Sequence, residues 1–474
     1  MSLRHHPLVR GLSASLSGAI LSGSVVVGCA SSSGGTSMSD VQSTTGSDSS
    51  SPKDDSGTDG SDGSDGVDAA DVSDGTDGTD GVDGTEGADG TAAECANHAE
   101  CDDAAKPFCD SDAGKCVAPP PGSAIGWGAG TTVTMPVVYE PSRAYQGTSL
   151  DFHPERDELW VALREFPTDE PCEQFQATQA GCQELEGSVA VITGAATETP
   201  KGKIMKDINA WHFMRRPTGL SFGEGDLFAT CGEARTGNYE DDTADFMGPT
   251  LWSADPEIFA QDPGAGLNGS HMDMLHLTPF CMGIEHEVNN VYWTFNGQVG
   301  AIERYDFAED HGPGHEDHSD GTLQRFIVGQ VKRVEDVPSH LAYDAATGFV
   351  YIADTGNARV LRLDPSTAKP AQKLPAYEAM VDSREYDGAD LVEIVPPGRV
   401  AVPSGLVLHG GALYVSDPST SRIYAFDLQG KLLNELDTGL EPGALSGMTI
   451  HAASGALFFT EMTEGRVFRV AVTR

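Results

Sequence analysis

The chain has 474 residues and a formal charge of −43, with 29 basic against 72 acidic side chains, a length that allows two or three domains. Nucleic acid is excluded as a partner, because neutralising phosphates takes clustered Lys and Arg, and no basic run exists beyond Arg4 and Arg10. Hydrophobic content of 39% with 56 glycines is low for a wholly folded chain, so part of it is expected to stay unfolded.

Residues 1–28 place Arg4 and Arg10 before a moderately apolar run from Gly11 to Val27, the pattern of a signal peptide. The run is too short and too diluted by Ser and Gly for a membrane-spanning helix. Val26-Val27-Gly28-Cys29 resembles the lipobox of bacterial lipoproteins. The resemblance implies that Cys29 is freed by cleavage, lipidated, and becomes a membrane-anchored N-terminus; an ordinary secretory peptide with an incidental cysteine is the alternative. Ala30 is not the Asp that retains enteric lipoproteins at the inner membrane, so the outer membrane of a bacterial envelope is expected.

Residues 29–92 form the next segment, whose positions 30–92 carry 15 acidic residues, one lysine and almost no large apolar side chain. Its three-residue beat, as in Thr76-Asp77-Gly78, lacks the ligand ladder of a calcium loop and the proline of collagen. A disordered tether is expected, about 45 Å end to end as a random coil and longer once its like charges repel.

Nine cysteines are an odd number for an exported protein, and lipidation of Cys29 removes the oddity. Cys95, Cys101, Cys109 and Cys116 fall in a polar, turn-rich module, residues 93–121, too small for a core, so disulfides are expected to hold it. Three pairings are open. A zinc site is the rival reading, although no Cys-x-x-Cys pair is present. Cys172 and Cys182 bracket one later loop, and Cys231 and Cys281 complete the set expected in disulfides.

From residue 122 to 474 the chain repeats one unit six times. The copies begin at Ser149, Gly219, Gly283, His340, Gly405 and Gly447, and each is followed by a second strand such as Leu159-Trp160-Val161-Ala162 or Val350-Tyr351-Ile352-Ala353. Short alternating strands in six units predict an all-β, six-bladed β-propeller. Val337-Pro338-Ser339-His340-Leu341 with Tyr351-Ile352-Ala353-Asp354, and Pro403-Ser404-Gly405-Leu406 with Tyr414-Val415-Ser416-Asp417, resemble NHL repeats. The resemblance is strong in the last three units and weaker in the first three, and it implies a fold while leaving activity open. The last unit lacks a fourth strand, and the β-type run Thr131–Val138 is placed to supply it, so deleting residues 122–140 is expected to unfold the domain.

We call the top face the one reached by loops that enter the first strand of a unit or join its second strand to its third. The long loops at about 164–187 and 231–248 fall there, which marks the top as the elaborated face. Glu233, Arg235 and Tyr239, in the second of these loops, are candidates for ligand contact.

Comparing the copies singles out His340, the one large residue at a position where the others carry Gly or Ser. Small residues there would leave the central channel open, and His340 would reach into it. Two positions along stand Asp151 and Glu285, so the three could hold a divalent cation, calcium or zinc. Alternatively His340 plugs the channel or bonds a loop carbonyl. His153, His286, His409 and His451 recur at the following turn and are expected to be turn residues.

A second cluster runs Asp310-His311-Gly312-Pro313-Gly314-His315-Glu316-Asp317-His318-Ser319-Asp320. His311, His315 and His318 with these carboxylates are enough ligands for a transition metal, although Gly312-Pro313-Gly314 forbids the helix that their spacing would suit. The loop belongs to the bottom rim, where His271 and Asp273 of the second unit are expected to approach it. The alternative is an acidic solvated loop knitted by its own hydrogen bonds.

Two functions follow. One is a lipid-anchored monomer whose propeller binds a protein, polymer or small molecule. The other is a metal-dependent enzyme, since six-bladed propellers include lactonases and a zinc lyase acting on peptidyl hydroxyglycine. His340, Glu285 and Asp151 resemble those enzymes' channel ligands only in residue type.

Overall fold

A strand packed on both faces reads as an unbroken apolar run, and the second strand of each unit is such a run. The computed structural model describes residues 93–103, 105–110, 112–127, 131–166, 186–236, 247–264, 267–315, 317–375 and 378–473, all within one compact unit. In it Leu159, Trp160, Val161, Ala162 and Leu163 are fully buried, because this blade is sandwiched between two neighbours.

Blade one comprises Gln146–Phe152, Glu158–Arg164, Gly187–Thr193 and Lys201–Met205, each antiparallel to the next. Blade two runs from Pro217–Phe222 to His271–Met274, and blade three from Cys281–Val288 to Thr322–Phe326. Blades four and five start at Leu341–Asp344 and Leu406–His409, and end at Asp390–Val395 and Leu432–Asp437. Blade six holds Leu445–Ile450, Leu457–Glu461 and Val467–Arg469, and its outer strand is Val137–Tyr139 from the start of the domain. The ring is therefore closed by the N-terminal run, as expected, and Thr132–Thr134 pairs separately with Ala471–Thr473.

The core is divided among the seams between blades. Among the described residues six apolar clusters each join two adjacent blades, as where Trp160 and Val191 of blade one meet Phe228 and Trp252 of blade two. At the top of the inner strands the seam is backbone against backbone. A Cβ on Gly219 would lie 2.7 Å from the Ile284 nitrogen, and one on Gly283 would lie 2.3 Å from the Ser339 carbonyl oxygen. The recurrent glycine thus serves the contact between blades, where real Cβ atoms do not fit, rather than clearance in the channel.

The residue before the first position of each unit is Thr148, Thr218, Ser339, Ser404 or Ser446, with Met282 the one without a hydroxyl, and all six are fully buried. Three of their hydroxyls stitch neighbouring blades together: Thr218 Oγ1 donates to the Cys281 carbonyl at 2.6 Å, Ser404 Oγ to the Pro338 carbonyl at 2.8 Å, and Ser446 Oγ to the Thr148 carbonyl at 3.1 Å. Buried carbonyls at the ring's narrow end would otherwise go unmet, at a cost of about 1–3 kcal/mol each.

Two further features depart from six plain sheets. A hairpin, Lys369–Lys373 with Asp382–Asp387, is inserted in blade four and adds in parallel to the outer strand of blade three. The cysteine-rich module is a small hairpin, Phe108–Asp110 with Lys115–Val117, held by disulfides Cys95–Cys109 and Cys101–Cys116. Those bonds choose one of the three pairings and occupy the sulfurs that a zinc site would need. Cys231–Cys281 joins blades two and three at the top, while Cys172, Cys182 and Cys29 lie outside the described residues.

Candidate functional site

The inner strands enclose a channel cavity of about 300 Å³, lined by Asp151, Ser221, Glu285, His340, Tyr343 and Thr449 among others. Its upper end is shut. His340 crosses the axis from blade four, and its Nε2 donates to the Thr218 carbonyl of blade two at 3.0 Å. Burial pulls its pKa down to about 4 against the opposing effect of that carbonyl, so the imidazole is neutral. His340 therefore reaches into the channel, as expected from the copies, but there it bonds a loop carbonyl and plugs the neck.

Above the plug lies a buried ionic network. Glu233 accepts from Arg164 at 3.3 Å, from Arg216 at 3.5 Å and from Arg333, and its two oxygens accept the Asp336 N–H at 3.1 and 3.0 Å. Arg164 is fully buried and also donates to the Pro217 carbonyl at 2.8 Å. Glu233, expected to be a ligand contact, is thus committed to three arginines. Arg235 stands one residue before the end of the described part of its loop, its carbonyl accepting the Met247 N–H at 3.1 Å, and Tyr239 lies outside the described residues.

The lower half of the cavity is acidic. Asp151 Oδ1 accepts from Phe152 N–H at 2.8 Å and from the Thr449 hydroxyl at 3.3 Å, and Oδ2 accepts from Phe222 N–H at 3.0 Å. Burial nonetheless pushes Asp151 up to about 6. Among the described residues Glu285 has one weak donor, the Tyr343 N–H at 3.4 Å. Burial first, and the Asp151 charge second, push Glu285 up to about 8. The pair loses its protons in two separate steps, and near neutral pH it holds one proton where two isolated carboxylates would hold none.

His340, Glu285 and Asp151 all line one cavity, but they do not converge into a three-ligand group, because the His340 Nε2 is turned to Thr218 at the neck. The donors left for a cation are carboxylate and hydroxyl oxygens with backbone carbonyls. That chemistry suits a hard ion such as calcium, and does not suit zinc.

The bottom rim gathers the second cluster. Asp273, His311 and Asp320 each offer a ligand atom within 4.8 Å of the others. His311 Nε2 lies 3.0 Å from Asp320 Oδ1, and His318 Nδ1 lies 2.8 Å from Asp273 Oδ1. His271 is buried and stacked on Phe213 with ring centroids 3.7 Å apart, and burial pulls its pKa down to about 4. His315 is exposed. The approach of blade two to this loop, expected from topology, is therefore present, with Asp273 and Asp320 as the carboxylates that matter. Of the four histidines expected in turns, His153 and His451 fall just past their inner strands, where His451 Nδ1 bonds the Ser454 hydroxyl at 2.9 Å, whereas His286 and His409 still belong to the strands Cys281–Val288 and Leu406–His409, His286 Nε2 reaching the Asn289 carbonyl at 2.8 Å.

A six-bladed β-propeller with an acidic channel is the class these features define. No known protein family's sequence pattern matches the chain, and no curated protein does either. Among solved structures the chain is similar to a luciferin-regenerating enzyme at 12% identity, covering 72% of this chain and 95% of the other, with a TM-score of 0.44. It is also similar to a gluconolactonase from Xanthomonas campestris (14%, 72% and 90%, TM-score 0.38) and to a calcium-binding protein, regucalcin, from Agrobacterium tumefaciens (11%, 71% and 92%, TM-score 0.43). Likeness at this level carries no argument about activity, and the blade count rests on the strand pairing itself.

Proposed function

We propose that this protein is a binding module of the bacterial cell envelope, held by lipid on Cys29 and a long acidic spacer, whose channel cavity takes a small cation, with calcium the simplest candidate. The observation that carries the reading is the Asp151 and Glu285 pair: two carboxylates share one channel cavity in which desolvation raises both, and a cation would relieve the repulsion that the fold imposes. The lipobox-like Val26-Val27-Gly28-Cys29 supports the anchor, and the Pro-Ser-His and Pro-Ser-Gly openings of units four and five support repeats of NHL type. Calcium titrated into the full chain by calorimetry should bind at one site per chain, and Glu285→Gln should remove that site. Absence of calcium binding in the native chain defeats the reading. Cys29→Ser should release the protein from membranes into the soluble fraction; retention on membranes refutes the anchor.

A second reading, a lactonase-like hydrolase, is favoured by the separation of the two carboxylates, near 6 and near 8, which suits one to accept and one to donate a proton at neutral pH. Hydrolysis of a panel of aliphatic lactones, abolished in Glu285→Gln, would establish it.

A further inference from the structure

The rim cluster does not depend on the channel and has its own geometry. Asp273 stands on the outer strand of blade two and is almost wholly buried, at 1% exposure. Its Oδ1 accepts the Met274 N–H at 2.6 Å and faces His318 Nδ1 at 2.8 Å. Its Oδ2 is buried and has no hydrogen-bond partner among the described residues. A buried carboxylate oxygen left without a partner costs more than about 1–3 kcal/mol, so a ligand is the expected remedy.

Across from it, the loop between the third and fourth strands of blade three turns back over the start of that blade-two strand. Gly314 N–H donates to the His271 carbonyl at 2.7 Å, and Asn268 N–H to the Gly314 carbonyl at 3.2 Å. A Cβ on Gly314 would fall 2.8 Å from the Gly269 carbonyl oxygen, so the close approach needs glycine at a positive φ of 74°. This approach brings His311 and Asp320 to Asp273.

We propose that Asp273, His311 and Asp320 bind a divalent transition-metal ion of the zinc type, which clasps the blade-three rim loop to the outer strand of blade two. One imidazole nitrogen with two carboxylate oxygens suits zinc better than calcium or magnesium. Ligand atoms within 4.8 Å of one another draw in to about 2.0–2.2 Å from the ion, with water in the fourth position. His318 is a positioning residue: by holding Asp273 Oδ1 it leaves Oδ2 for the metal, as hydrogen-bonded partners of metal ligands do. The clasp would join at the bottom the same two blades that Cys231–Cys281 joins at the top.

The test titrates Co²⁺ and then Zn²⁺ into the full chain with disulfides intact, reading visible d–d absorption and its loss on zinc displacement. One equivalent is expected. Because Asp273 is buried and its replacement risks misfolding, the deciding variant is His311→Ala with Asp320→Asn, both partly exposed, which should lose the signal. His318→Ala should weaken cobalt binding about 10–100-fold. Glu285→Gln, which acts in the channel, should leave the cobalt signal intact, so failure of the channel reading and failure of this one are separable. No cobalt absorption in the native chain, or absorption unchanged in the double variant, overturns the proposal.

Discussion

The acidic pair in the channel makes calcium binding and pH inseparable. Glu285 ordinarily titrates near 4.5 and here near 8, so at pH 7 it still holds a proton that calcium must displace; Asp151, near 6, is by then mostly ionised. Both are ionised in about half of molecules at pH 8 but in well under a hundredth at pH 6, so affinity should rise roughly a hundredfold between pH 6 and 9. Near pH 7 about one proton should be released per calcium bound, readable by calorimetry in buffers of different ionisation enthalpy. The empty protein gives the complementary signal. Between about pH 4.5 and 8 the folded state holds the Glu285 proton more tightly than the unfolded chain does, so stability falls as pH rises through that window. Raising Glu285 from 4.5 to about 8 sets a ceiling near 5 kcal/mol, and water in the channel brings the effect below it. Glu285→Gln should therefore be more stable than the native chain above pH 8 and equal to it near pH 4. Affinity that stays flat from pH 6 to 9, or a stability gain in Glu285→Gln that does not vary with pH, refutes the reasoning.

Three other outcomes are expected. Glu233→Ala removes one of the two carboxylates that hold the fully buried Arg164, leaving Asp336 at 3.3 Å, and should cost about 1–3 kcal/mol in urea unfolding; an unchanged midpoint shows that the network contributes little. Replacing Cys231 and Cys281 together by Ser opens a link across 50 residues and should cost up to about 4 kcal/mol, seen as a lower melting temperature. Deleting residues 122–140 removes the outer strand of blade six, and should abolish cooperative unfolding by circular dichroism; a deletion protein with only a slightly lowered midpoint would show that the ring closes without that strand.

Blade number and ring closure were legible because a propeller repeats its burial. Each second strand is apolar on both faces, and the run Thr131–Val138 had no partner within its own neighbourhood. The hairpin of Lys369–Lys373 and Asp382–Asp387 was not legible, since it lies on the outside of the ring with little apolar surface to announce it. Nor was the network around Glu233, whose arginines come from positions 164, 216 and 333; nothing local in the sequence brings them together.

At the two candidate sites, sequence comparison pointed to residues that the fold brings near one another and missed the forces that set their arrangement. His340 stood out among five small residues, yet the four glycines among them are small because adjacent strands touch there, and His340 sends its ring across the axis to Thr218. Its nitrogen is thereby spent on the neck, and the chemistry passes to Asp151 and Glu285 below it. In the rim loop the histidine spacing suggested a helix that Gly312-Pro313-Gly314 forbids, and the decisive carboxylate, Asp273, lies 45 residues from the His318 that orients it. Topology could predict that this strand and loop meet at the bottom. Only the packed structure shows that Asp273 arrives buried, with one oxygen held and the other still lacking a partner among the described residues. The proposed metal clasp would offset that burial cost, whereas a neutral polar residue on the same strand would have none to offset.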